Sequence, residues 1–166
     1  MHPRNPKGGL PLEREKGPLG PKLLLIAYCV FMLWLLLWRN RSITDSDLLS
    51  HLQPIPLATV RLYWNVFTDP DLSHLLPEAI TNLPGNILVF LPFGALLPAA
   101  FPALAKFAKT MLWAALCILA VELTQLITLR GYCDIDDLIL NLIGTAIGYG
   151  LFRLLSPKEA PSDADQ

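Results

Sequence analysis

The residues able to do chemistry fall in a few short stretches. Glu122 and Gln125 stand inside an apolar run, Arg130, Asp134, Asp136 and Asp137 crowd the turn after it, Asn141 follows, and Asn86 opens an earlier apolar run. A carboxyl group withdrawn from water is suited to general acid or base work, which makes Glu122 and Asp137 the candidate catalytic residues. Asn86, Gln125, Arg130, Asp134, Asp136 and Asn141 are candidate ligand-binding groups, and a planar guanidinium such as that of Arg130 matches a phosphate. Asp134, Asp136 and Asp137 offer the hard oxygen ligands that Mg²⁺ or Ca²⁺ takes, so a divalent cation is an admissible cofactor. His2, His51 and His74 lie in the N-terminal tail or a long connection and suggest no histidine-based metal site.

The elements that position these groups are those of a membrane protein. Hydrophobic residues make up 53% of the chain and charged residues 16%, against about a quarter charged in soluble domains. A net charge of -1 argues against a nucleic-acid partner. Cys29, Cys117 and Cys133 match neither a zinc site nor a disulfide framework, and Cys133, in a short loop, is the one expected to be accessible. Residues 1–22 read as a disordered tail. Leu23 to Trp38 is a first apolar span, and its Trp and Arg flank with no Ala-x-Ala-like site favours an uncleaved anchor over a signal peptide. Asn40 to Pro84 is a polar connection in which Ile55 to Phe67 forms a short interfacial helix. Ile87 to Phe101 is a second span, kinked or partly broken by Pro92, Gly94 and Pro98. Phe107 to Leu129 and Ile135 to Leu155 are the third and fourth. The expected fold is an all-α integral membrane bundle of about four helices over 23–155, with a polar tail over 156–166.

Lys and Arg set its orientation. Nine of the 13 basic residues fall in the tail before span one, between spans two and three, or after span four, and four fall on the other side. Both termini are therefore expected in the cytoplasm of a multi-pass plasma-membrane protein. All the polar candidates then gather near the outer face, with Glu122 about 10 Å below the end of its helix. An unpaired charge at mid-span costs roughly 2.5–3.5 kcal/mol, so Glu122 must face the bundle, pair with a cation such as Arg130, or carry a proton. Asp137, Asn141, Gly144 and Gly148 form one helical stripe, polar outside and small within. Plainer roles stand beside these: the glycines as packing residues, Asp134 or Asp136 as a helix cap, Asn86 as a cap of span two, and Glu122 with Arg130 as a structural ion pair.

These residues also resemble a known pattern. Asn86, Phe90, Pro92 and Gly94, then Glu122 and Gln125, then Arg130, Asp134, Asp136, Asp137, Asn141, Gly144 and Gly148 are similar, in order, to the motifs of the VanZ-like family. Gln53-Pro54-Ile55-Pro56-Leu57 resembles a further family segment, with Leu57 where Phe is usual. The likeness covers roughly 24–155. It implies four spans and a bacterial envelope role, since the family is named for an accessory protein associated with teicoplanin resistance in glycopeptide-resistance clusters.

Three functions follow as expectations. The cluster binds or modifies a lipid headgroup or lipid-linked cell-wall precursor at the outer leaflet, or it only orders the bundle of a non-enzymatic membrane protein. A small transporter is the third, and it is disfavoured because the polar groups stop in the outer half.

Overall fold

The computed structural model describes residues 18–38, 51–129 and 131–156. They form α1 (Leu19–Trp38), α2 (Ala58–Val66), α3 (Leu76–Ala100), α4 (Phe107–Thr128) and α5 (Ile135–Leu155), with two-residue strands β1 (Leu52–Gln53) and β2 (Cys133–Asp134). Helix is the state that satisfies every backbone N–H and C=O inside the segment, which hydrocarbon surroundings require. α3, α4 and α5 are each long and apolar enough to cross a membrane, and α1 adds a shorter apolar helix over Leu19–Leu35. The all-α membrane bundle expected from the sequence is thus present.

Two boundaries differ from expectation. α1 begins at Leu19, inside the stretch read as tail. Pro21 is tolerated there because the first-turn N–H groups have no intrahelical partner. α3 begins at Leu76, well before Ile87, and runs without a break through Pro84, Pro92 and Pro98. Its 25 residues span about 37 Å, more than the roughly 30 Å of a hydrocarbon core. The surplus is its N-terminal part, which packs beside α2: Tyr63, Val66 and Ala79 are buried together with Leu72, Leu75 and Leu83 around them. Of the polar residues in this stretch, Asn82 turns to α2, its Nδ2 donating to the Tyr63 hydroxyl at 2.9 Å, while Glu78 and Thr81 stay exposed.

The centre of the bundle is the α3–α5 pair. A Cβ on Gly94 would overlap the backbone carbonyl of Thr145, one on Gly144 that of Ile87, and one on Gly148 that of Leu91. The two backbones therefore touch, as small residues in membrane helices allow, and Gly144 and Gly148 are packing residues. α1 lies on α3 through Leu25 and Tyr28, and the Tyr28 hydroxyl donates to the Val89 carbonyl at 2.6 Å. α4 brings Ala114 and Ile118 to the same core. The end nearest Lys106 is closed by Thr110 Oγ1 on the Leu104 carbonyl, 2.7 Å, and the Tyr149 hydroxyl on the Ala105 carbonyl, 2.8 Å.

Gly144→Val and Gly148→Val are expected to separate α3 from α5 and to destabilise the fold by about 1–3 kcal/mol each, the usual scale of overpacking. Thermal unfolding in detergent checks this. Gly150 has open space beside it, so Gly150→Ala should leave the midpoint near that of the parent.

Candidate functional site

The end of the bundle away from Lys106 collects nearly every polar side chain singled out above. The connections that precede α2 and α5 meet there as a parallel pair, Leu52 opposite Cys133 and Gln53 opposite Asp134. His51, fully buried, sits beside this pair with Nδ1 3.2 Å from the Gly131 carbonyl and its ring stacked on Tyr132, centroids 5.2 Å apart.

Asp134 and Asp136 hold this cap together. Asp134 is the N-cap of α5, its Oδ1 accepting from the Asp136 N–H at 2.8 Å, while its Oδ2 accepts from Thr59 Oγ1 at 2.7 Å. Asp136 is completely buried, and its two oxygens accept from the backbone N–H groups of Leu57 (2.5 Å) and Val60 (3.0 Å). Those are donors at the start of α2, which a helix leaves without intrahelical partners. The carboxylate of one helix thus caps another, at the positive end of its dipole. Leu57 stands there with φ 63°, a left-handed conformation costing a non-glycine residue about 1–2 kcal/mol, and the bond from its N–H to Asp136 helps hold it.

Glu122 and Asp137 behave differently. In a capping box the acid three residues into a helix would return to the N–H of the cap residue. Here the Asp134 N–H instead donates to Glu122 Oε2, 3.3 Å away on α4. Asp137, at that third position, turns to α3 and accepts from Asn86 Nδ2 at 2.5 Å. Asn86 is therefore a mid-helix partner of Asp137 and does not cap α3. Glu122 and Gln125 are both buried on the inner face of α4. Asn141 is 5% exposed, one turn below Asp137 on α5, and its Oδ1 is buried with no hydrogen-bond donor in reach. The Thr145 hydroxyl beneath it donates to the Asn141 main-chain carbonyl at 2.9 Å and leaves the side chain untouched.

Of the predicted site residues, Asn86, Glu122, Gln125, Asp134, Asp136, Asp137 and Asn141 come together at this end, and Arg130 lies outside the described residues. Among the described residues no three His, Cys, Asp or Glu side chains gather as a metal site needs, so the oxygen set considered for Mg²⁺ or Ca²⁺ is not assembled. Cys133 is half-buried in β2, and burial pushes its thiol up from the ordinary range; the exposed cysteine among the described residues is Cys117, on α4. Sequence reasoning missed His51, Thr59 and the backbone of Leu57 and Val60. The Gln53–Leu57 segment was the one signal pointing to them.

A family model described as VanZ/LLP1 matches residues 25–156. The chain belongs to this family. The match takes in all five helices except the first turns of α1, and with them the whole polar end. No curated protein and no solved structure matches the chain. Within this VanZ/LLP1 domain, then, the roles of single residues rest on the geometry above.

Asp136→Asn replaces one of two acceptors with a donor facing a backbone N–H. It is expected to cost about 1–3 kcal/mol, the penalty of a buried donor without a partner, and to lower the unfolding midpoint measured in detergent. Asp137→Asn, which touches no helix cap, should shift that midpoint much less.

Proposed function

We propose that the polar end of this VanZ/LLP1 protein binds the headgroup of a membrane lipid or lipid-linked cell-wall precursor at the outer leaflet, and that it contributes by this means to tolerance of teicoplanin-type glycopeptides. The observation that carries the reading is the buried, unpartnered Oδ1 of Asn141. Buried polar atoms almost always have partners, and one without a partner beneath two acids is an acceptor that a donor from outside the chain satisfies once this closed end opens to admit it. An ammonium or hydroxyl of a headgroup supplies such a donor. Glu122 and Asp137 each have one oxygen held by a protein donor, which positions them to meet a second donor or to move a proton. Arg130, which precedes Gly131 in the sequence, has a guanidinium suited to the phosphate of the same headgroup. Asp134 and Asp136, spent on helix ends, act in this reading as architecture.

The orientation belongs to the same proposal. With α1 counted as a span, both termini and the Lys106–Lys109 turn lie in the cytoplasm, following the excess of Lys and Arg there. Ser73 and Lys109 are exposed at opposite ends. In a variant lacking the native cysteines, Ser73→Cys should react with a membrane-impermeant maleimide in intact cells and Lys109→Cys only after lysis; the reverse pattern would invert the topology.

Teicoplanin susceptibility of cells expressing the parent, Glu122→Gln and Asp137→Asn at equal membrane level tests the function. Protection by the parent and a loss of at least about tenfold of it in both variants is expected. That loss corresponds to about 1.4 kcal/mol of binding. Parent-like protection from both variants, or none from the parent, rejects the reading.

A further inference from the structure

One cavity in the bundle has no part in the site just described. It lies between α1, α3 and α4 and has a volume of about 300 Å³; the buried Met32, Phe90 and Phe93 line it together with Tyr28, and the exposed Ala120 and Thr124 leave it open along α4. The two hydroxyls in this lining are already engaged, Tyr28 with the Val89 carbonyl at 2.6 Å and Thr124 with the Ala120 carbonyl at 2.7 Å. The remaining polar atoms are the thiols of Cys29 and Cys117, which pack as small apolar groups. The walls therefore present hydrocarbon, ring faces and sulfur, and suit an occupant without polar atoms.

Helical register ties this cavity to the polar end. On α3, Asn86, Phe90, Phe93 and Leu97 fall four, three and four apart, so they form one stripe. The stripe starts at the amide bonded to Asp137 and continues as the two rings of the cavity wall. On α4, Cys117, Val121 and Thr124 line the cavity, while Ile118, Glu122 and Gln125, each one residue further, are buried toward the core and the acids. One residue is a turn of about 100°, so the cavity and the polar cluster occupy adjoining faces of the same helix. A polar end leading into an apolar slot at the depth of membrane hydrocarbon is the shape of a single lipid molecule.

We propose that this cavity binds one acyl chain of the glycerophospholipid whose headgroup lies at the Asn86–Asp137 end. The proposal rests on the headgroup reading for its choice of lipid, while the slot itself stands on the lining alone. A volume at the lower end of the roughly 300–1,000 Å³ of ligand pockets favours a slender unbranched chain over a methyl-branched isoprenoid.

The test uses the purified full-length protein in vesicles of phosphatidylethanolamine and phosphatidylglycerol, carrying a trace of phospholipid with a diazirine midway along one acyl chain. After illumination, adducts are mapped by mass spectrometry. Adducts on Met32, Phe90 and Val121 should exceed those on Ile147 and Leu151, exposed on α5, by about tenfold, or about 1.4 kcal/mol of preference. Ala120→Trp and, separately, Thr124→Phe should fill the slot and remove that excess while labelling of Ile147 and Leu151 persists. Equal labelling at both places in the parent, or an excess that survives both substitutions, overturns the proposal, as does displacement of the probe by a polyprenyl phosphate in preference to unlabelled phospholipid. The same labelling in Asp137→Asn separates the two readings. Retained excess with lost discrimination among unlabelled phospholipid headgroups supports both slot and headgroup site, and retained excess when neither protein discriminates supports the slot and rejects the headgroup reading.

Discussion

The carboxylate of Asp136 is the group on which the polar end of the molecule depends. It is fully buried, and it accepts from the main chain at Leu57 and Val60, residues that lie 79 and 76 positions away in sequence. Burying a charge is unfavourable unless donors replace the water it loses. The two N–H groups at the start of α2 do so, and the carboxylate in turn gives those donors the partners that a helix start lacks. Each group resolves the other's deficit, so the interaction fixes α2 and the β1–β2 pair over the mouth of the α3–α4–α5 bundle.

That arrangement divides a run of acids with similar sequence surroundings into two kinds. Asp134 and Asp136 serve helix ends, and their geometry leaves little for anything else. Glu122, Asp137 and Asn86 instead connect separate helices, Glu122 of α4 to the N-cap residue of α5 and Asp137 of α5 to Asn86 of α3, with the buried, unpartnered Oδ1 of Asn141 one turn further along α5. Rigid caps around a partly unsatisfied polar cluster are what a binding site built on helices requires. The backbone contact of α3 with α5 through Gly94, Gly144 and Gly148 supplies the rigidity from the other side.

Much of this was legible in the residues. Local periodicity placed Asp137, Asn141, Gly144 and Gly148 on one inward stripe, and the structure puts Asn141, Gly144 and Gly148 in the interior. Apolar runs gave the long helices, and the short α2 fell within the predicted interfacial segment. The N-terminal part of α3 was not legible, because the stretch from Glu78 to Pro84 reads as the end of a polar connection until Tyr63 is known to receive Asn82. Asp134 capping α5 was among the plainer roles the sequence offered, but the bond of Asp136 to the start of α2 could not be foreseen. Whether an aspartate near a helix start binds its own helix, a neighbouring helix or a ligand depends on partners brought in from a distant segment, and no local spacing encodes that.

The most direct test of the account is amide hydrogen exchange of the protein in detergent or nanodiscs, comparing the parent with Asp136→Asn at residues 52–60 and 133–136. If the carboxylate fixes the cap, Leu57 and Val60 exchange slowly in the parent. In the variant both lose protection, along with the β1–β2 pair, while the α3–α5 core near Gly144 keeps its own. Unchanged protection at Leu57 and Val60 in Asp136→Asn would contradict the account, because the cap would then be held by something other than the interaction on which the polar end has been built.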